Sequence, residues 1–219
     1  MVAPLITLHN LDCLPAMREM VDNQYSLAIV DVPYGIKQDG HRENNRSKLA
    51  ISKNYHKALW DQDRPDLEYF KELFRVSENQ IIWGGNHLCD LFNAQSSCWI
   101  VWDKDNSGDF ADCELAYTSF ETAVRKFQFT WNGMLQGDMK NKETRIHPTQ
   151  KPVALYKWLL RNYATEGDTI LDTHGGSMSL AIACYDYGFD LTCYELDADY
   201  YAAAVKRLDD HRSQMRLEL

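Results

Sequence analysis

The sequence predicts an α/β fold, a mainly parallel sheet covered by helices on both faces, and three observations predict it. Short apolar runs of strand length alternate with segments of helical periodicity along almost the whole chain, the pattern of parallel strands joined by crossover helices. Two of the apolar runs end in an aspartate at a turn, Leu27-Ala28-Ile29-Val30-Asp31 and Thr169-Ile170-Leu171-Asp172. No Pro-, Gly- or Ser-rich linker, internal repeat or low-complexity segment divides the 219 residues, and a hydrophobic content of 45% supports one core. One domain over residues 1–219 is expected.

Taken in order, Leu5 to Leu8 reads as a strand, and Asp12 to Met20 as a helix. Ser26 to Asp31 is a buried strand, because a continuous apolar run is closed by Asp and Pro. Residues 36–60 are polar, basic and aperiodic, a loop long enough to suggest a functional role. Leu67, Phe70, Leu73 and Phe74 recur at helical spacing after Pro65, predicting a helix from Asp66 to Val76. Gln80 to Trp83 and Cys98 to Trp102 read as strands around a helix near Asn86 to Phe92, and Val124 to Trp131 alternates like a strand. A loop over Asn132 to Arg145 leads to a helix from Val153 to Tyr163. Then come a strand at Thr169 to Asp172, a helix at Ser177 to Tyr187, a strand at Asp190 to Glu195 and a last helix from Ala198. Seven strands are counted.

Composition narrows the class. No apolar stretch reaches membrane-spanning length, and Met1 to Leu11 lacks the basic region and apolar core of a signal peptide. The six cysteines form no C-x-x-C pair, so a reducing cytoplasm is expected, with neither a disulfide framework nor a metal site. The net charge of −9 argues against nucleic acid, but its distribution argues the other way. Lys37, Arg42, Arg46, Lys48, Lys53 and Lys57 fall in one segment with only Asp39 and Glu43 against them. A second basic stretch holds Lys140, Lys142, Arg145 and Lys151. Both abut motifs of interest, and Lys37, Arg42, Arg46, Lys48 and Lys53 are taken as DNA phosphate contacts.

Asp31-Val32-Pro33-Tyr34 places a carboxylate, a proline and an aromatic ring at a strand end, a means of presenting acceptors and a stacking surface to an extruded base. Asp172-Thr173-His174-Gly175-Gly176-Ser177 is a strand-to-helix turn with glycines for close backbone approach, and Glu195 ends the following strand. Between them stands His147-Pro148-Thr149-Gln150-Lys151-Pro152. Together these motifs resemble the amino-methylating DNA methyltransferases, which carry Asp-Pro-Pro-Tyr and Asp-Pro-Phe-x-Gly-Ser-Gly. The base motif preceding the cofactor motif is similar to their beta class.

The resemblance covers nearly the whole chain. It implies a Rossmann-like class I methyltransferase fold with a mostly parallel seven-stranded sheet and circularly permuted motif order. It also implies S-adenosylmethionine as cofactor, double-stranded DNA as partner, and transfer to adenine N6, with cytosine N4 as the alternative. The residues carried over for catalysis are Asp31, whose carboxylate accepts an amino N–H, Val32, whose carbonyl accepts the other, Pro33, and Tyr34, which stacks on the base. For the cofactor they are Asp172, His174, Gly175, Gly176, Ser177, Glu195, Thr149 and Lys151. Glu195 is assigned the ribose and Lys151 the cofactor carboxylate or, equally, a phosphate. Thr173-His174 stands where relatives commonly have Pro-Phe, and Met178 where they have glycine, so a side chain is expected at the cofactor face. A DNA-binding relative with impaired turnover is a second reading, and a homodimer is possible. A nicotinamide dehydrogenase is disfavoured, since G-x-G-x-x-G is absent. Trp83-Gly84-Gly85-Asn86 and Asp109 to Glu114 resemble segments near the base pocket but are left out of the catalytic set.

Overall fold

The computed structural model describes residues 3–35, 64–105, 111–132 and 135–217. The basic segment holding Lys37, Arg42, Arg46, Lys48 and Lys53 lies outside the described residues. Eight strands form one sheet: β1 (Ile6–His9), β2 (Tyr25–Val30), β3 (Ser77–Trp83), β4 (Trp99–Asp103), β5 (Cys113–Thr118), β6 (Arg125–Gln128), β9 (Thr169–Asp172) and β10 (Asp190–Tyr194), in the order β1-β10-β9-β2-β3-β5-β4-β6. A separate two-stranded ladder pairs β7 (Trp131–Asn132) with β8 (Leu135–Gln136). Within the large sheet only β5 runs antiparallel to its neighbours; the other pairings there are parallel.

The sheet therefore has one strand more than the seven expected. The eighth is β5. Its sequence, Cys-Glu-Leu-Ala-Tyr-Thr, sets Cys113, Leu115 and Tyr117 on one side and Glu114, Ala116 and Thr118 on the other, an alternation that the sequence reading passed over. The long segment over Val124 to Trp131 also divides. Arg125–Gln128 stays on β4, while Trp131 starts the small ladder.

Among the described residues, five helices cover the faces: α1 (Cys13–Glu19), α2 (Leu67–Val76), α3 (Val153–Tyr163), α4 (Ser179–Tyr187) and α5 (Ala198–Leu217). Asp12 and Asp66 cap α1 and α2, accepting from the Leu14 and Tyr69 N–H groups at 3.0 and 2.9 Å. The helix expected near Asn86 to Phe92 is only a single 3-10 turn, Gly85–His87. Two consecutive glycines weaken helix formation there, and Gly84 takes a left-handed conformation with φ 68°.

β2 shows why its run is continuously apolar. Leu27 and Ile29 join the core beneath α3 and α4, with Leu155, Leu159, Leu180 and Ala181, whereas Ala28 and Val30 join the core beneath α1 and α2, with Met17, Phe70 and Leu73. A strand buried on both faces leaves no polar side.

The topology also positions the site. From β2 the sheet grows one way to β3 and the other way through β9 to β10, so the order reverses between β2 and β9. Ligands of open α/β sheets bind at such a switch point, beyond the carboxyl ends of the strands. Asp31 and Asp172 stand there.

Candidate active site

Asp31 and Asp172 are about 140 residues apart in sequence, but they end neighbouring parallel strands, with Ala28 opposite Leu171. The two motifs thus share one strand-end cleft.

On the β2 side, Asp31 is held from two directions. The Tyr34 hydroxyl donates to Asp31 Oδ1 at 2.7 Å, and Lys151 Nζ lies 2.5 Å from Oδ2. A carboxylate offers roughly four lone-pair sites, so both oxygens retain acceptor capacity. The Lys151 side chain is 3% exposed. Its ammonium also lies 3.2 Å from Glu114 Oε2 and donates to the Tyr34 hydroxyl at 3.3 Å. Lys104 pairs with the other Glu114 oxygen. Charges alternate along Asp31, Lys151, Glu114 and Lys104. Burial alone would raise the Glu114 carboxyl, but Lys151 and Lys104 outweigh it and hold the group at about 2. Burial likewise opposes charge on Lys151, and Asp31 and Glu114 reverse the effect, so the ammonium is favoured.

Tyr34 lies across the end of β3. A Cβ on Gly84 would sit 2.1 Å from the tyrosine ring, so only glycine leaves it room. The His87 ring stacks on Tyr34 with centroids 5.4 Å apart. The Val32 side chain is buried in the apolar core under α1 and α2, which is what valine in place of proline provides. Pro33 is half-buried.

On the β9 side, Asp172 is buried and its carboxyl is pushed up to about 7, mainly by burial, with Asp31 and Glu195 adding to the effect. It accepts the His174 N–H at 3.0 Å. His174 Nδ1 meets Thr173 Oγ1 at 2.9 Å, and Thr173 meets the Tyr69 hydroxyl at 2.6 Å. The Thr173-His174 pair is thus tied to α2 by a buried hydrogen-bond chain. Gly175 donates to Tyr194 O at 2.7 Å, and a Cβ there would meet Cys193 Sγ at 2.5 Å. Gly176, at φ 51°, donates its N–H to Glu195 Oε2 at 2.7 Å, while Glu195 Oε1 accepts from Asp197 N–H at 2.8 Å. Ser177 Oγ contacts Ser179 Oγ at 3.1 Å.

Two expectations about this turn change. Helix α4 begins at Ser179 rather than Ser177, because Met178 adopts φ 53°, ψ 36°, a left-handed conformation outside the helix. The Met178 side chain does not face the cofactor loop's open side: it is 0% exposed and packs in the core under α3 and α4.

The segment from His147 to Pro152 spans both halves. The His147 ring lies 3.8 Å from where a Gly176 Cβ would be, and His147 Nδ1 meets Thr149 Oγ1 at 3.0 Å. Burial, with help from Lys151, holds His147 down at about 4. Thr149 itself is exposed. Lys151 reaches instead to the β2 half. Arg207 joins the glycine turn to this segment, donating to Ser177 O at 2.8 Å and Ser179 Oγ at 3.0 Å, and to Glu143 Oε2 at 2.6 Å. Glu143 in turn accepts the Val153 N–H at 2.9 Å. Sequence reasoning misses Glu114, Lys104, Gly84, Glu143 and Arg207 as site residues. Gly84 and Glu114 do lie within the two segments that resemble the surroundings of a base pocket.

Such an arrangement can grip an amino group with Asp31 and hold a nucleotide-like ligand over the glycine turn. Among the described residues no group of His, Cys, Asp or Glu is placed to hold a metal ion, and no helix is long and apolar enough to cross a membrane.

The family profile N6_N4_Mtase, described as DNA methylase, matches residues 111–206. Residues 111–206 are thus similar to the amino-methylating DNA methyltransferases, and the chain shares the class I methyltransferase fold of the solved structures it resembles. Among particular proteins, it is 24% identical over 213 residues to the type II methyltransferase M2.MboI of Moraxella bovis, covering 78% of this chain and 76% of that one. It is 36% identical over 69 residues to M.HpaI of Haemophilus parainfluenzae, a stretch of 32% of this chain but only 22% of the relative's length. The crystal structure of the M1.HpyAVI–SAM complex superposes with a TM-score of 0.59 at 17% identity, covering 93% of this chain and all of that one.

Proposed function

We propose that the chain is a DNA methyltransferase that moves a methyl group from S-adenosylmethionine to the exocyclic N6 of an adenine. One observation carries this reading: Asp31, with Tyr34 fixed against Gly84, stands beside the Asp172–Gly176 turn at the reversal point of the sheet. The family match and the type II methyltransferase relatives support DNA as the substrate. The S-adenosylmethionine bound in the M1.HpyAVI structure supports the cofactor.

The residues fit such a cofactor by their chemistry. Glu195 offers carboxylate oxygens at the end of β10, suited to ribose hydroxyls, beside a glycine turn that is free of side chains at residues 175 and 176. Asp172, Gly175 and Gly176 would hold the cofactor with Glu195, and His174, Ser177 and Thr149 would shape its surroundings. When bound, S-adenosylmethionine supplies an electrophilic methyl carbon on a sulfonium.

The remaining work belongs to the protein. An exocyclic amino nitrogen is a weak nucleophile because its lone pair is delocalised into the ring. Asp31 and the Val32 carbonyl, accepting its two N–H groups, draw the nitrogen toward tetrahedral geometry and stabilise the positive charge that develops on it. Tyr34 stacks on the flipped base, worth about 1–3 kcal/mol. Lys37, Arg42, Arg46, Lys48 and Lys53 would meet DNA phosphates.

The test is direct. DNA incubated with the protein and the cofactor is digested to nucleosides and separated by mass. N6-methyl-2′-deoxyadenosine is expected; unmodified DNA would sink the activity. Cytosine N4 remains the second reading, because the matched family spans both amino groups and the same acceptor pair serves either. N4-methylcytosine as sole product would select it.

A further inference from the structure

We propose that Lys151 is a positioning residue for the amino-group acceptor: fixed by Glu114, it holds the Asp31 carboxylate in place and does not bind the cofactor's carboxylate. The inference rests on the methyltransferase reading and deepens it at the same site.

Geometry supports it. On the described residues Lys151 Nζ forms two ion pairs, with Asp31 Oδ2 at 2.5 Å and Glu114 Oε2 at 3.2 Å, and donates a hydrogen bond to the Tyr34 hydroxyl at 3.3 Å. All three belong to the β2–β3–β5 side of the cleft. The ammonium also lies 5.4 Å from the Trp83 ring and 5.8 Å from the Tyr34 ring, so aromatic faces add to its hold. Glu114 is itself anchored by Lys104. Without Glu114, Lys151 would have a single carboxylate partner and more freedom to leave it. The chain of four charges sums to zero, which is what permits it to be buried.

An acceptor for a nitrogen that becomes positive must not rotate away from it. Tyr34 and Lys151 meet the two Asp31 oxygens from different elements, and together they leave one orientation of the carboxylate. The ionisable and charged groups facing Asp31 are Tyr34 on its own segment, Lys151 ahead of α3, Tyr156 on α3, Glu114 on β5 with Lys104 behind it, and Asp172 on β9. Of these only the two lysines are cationic, and Lys151 is the one in contact. Its removal leaves Asp31 near two other carboxylates with no cation among the described residues touching it.

The experiment compares the unsubstituted protein with K151M and with K151M/E114Q. The double variant removes one buried negative charge with the positive one, so it folds if the single variant does not. The conservative K151R is added, and three readouts are taken: kcat on DNA, KM for DNA, and the calorimetric Kd for S-adenosylmethionine. We expect kcat of K151M to fall about 100-fold, the scale of a misplaced catalytic group, with KM and the cofactor Kd within about twofold and kcat partly restored in K151R. A Kd weakened tenfold or more with kcat retained overturns the proposal and returns Lys151 to the cofactor. A fall in kcat that K151R does not restore, or one matched by weakened KM and Kd, also overturns it, since that is the signature of general structural damage. Failure of the underlying reading is told apart by the unsubstituted protein, which would then methylate no DNA.

Discussion

Met178 sits at φ 53°, where glycine is the ordinary occupant, yet its side chain is fully buried in the core. A left-handed conformation costs a non-glycine residue about 1–2 kcal/mol, whereas emptying a buried methionine site costs about 2–5 kcal/mol. Met178→Gly should therefore destabilise the protein by about 1–3 kcal/mol in urea unfolding while leaving cofactor affinity unchanged. A variant that gains stability would show that the strain outweighs the packing. Asp31 is the residue on which the rate should depend most. Losing one acceptor at a charge-developing nitrogen is worth roughly 2.7–4 kcal/mol, so Asp31→Ala should cut kcat about 100- to 1,000-fold at saturating DNA. Calorimetry should still detect cofactor binding; near-normal turnover would remove Asp31 from the acceptor role.

At the scale of elements, the ends of β2 and β3 meet where Tyr34 lies over Gly84. An added Cβ would stand 2.1 Å from the ring at a backbone angle of φ 68°. Gly84→Ala must push Tyr34 away, because the clash is with the rigid aromatic ring. The expected result is a fall in kcat of about 10-fold or more, from weakened base stacking worth about 1–3 kcal/mol. Far-ultraviolet circular dichroism should stay unchanged. A variant with normal kcat would show that Tyr34 does not stack on the base. The glycine turn and the His147–Pro152 segment are joined in a similar way by Arg207 and Glu143, so the two walls of the cleft are held by ties between elements distant in sequence.

Over the whole molecule, buried titratable groups make stability depend on pH in opposing ways. Burial holds His147 and His174 at about 4, below their ordinary 6.5. Between these values the unfolded chain binds more protons, so their contribution is present above pH 6.5 and is lost as pH falls toward 4. Asp172 acts the other way. Raised from 3.8 to about 7, it contributes most below pH 3.8 and loses that contribution as pH rises through 7. Asp172→Asn should thus raise stability at pH 8 by on the order of 2 kcal/mol and steepen the loss between pH 6.5 and 4. Urea unfolding at pH 8 and pH 5 checks both; equal stability at pH 8 would mean that the carboxyl is not penalised by burial. The charge of the molecule bears on DNA as well. With a net charge of −9, binding must rest on local cations. Neutralising Arg42, Arg46, Lys48 and Lys53 together should flatten the slope of log K against log salt by roughly 0.9 for each phosphate that no longer meets a cation. An unchanged slope would make that segment a solvated loop.

Sequence by itself determined the alternation of strands and helices, the limits of α3 and β9, and the two motifs that end β2 and β9. Each is a local signal: apolar period, a capping aspartate or a glycine pair speaks through its nearest neighbours in the chain. β5 was missed although Cys113, Leu115 and Tyr117 alternate with Glu114 and Thr118, because its place as the antiparallel strand between β3 and β4 is set by pairing with distant strands, and the supposed helix after Trp83 shrank to one turn because two glycines open it. Only the tertiary structure decided where Lys151 points and which carboxylates hold it. That choice depends on Asp31, Glu114 and Lys104 arriving from three separate strand ends. It also decided that Met178 keeps a glycine's backbone but fills the core. A side chain's direction is fixed by what packs around it, and those neighbours are brought together by the order of the sheet.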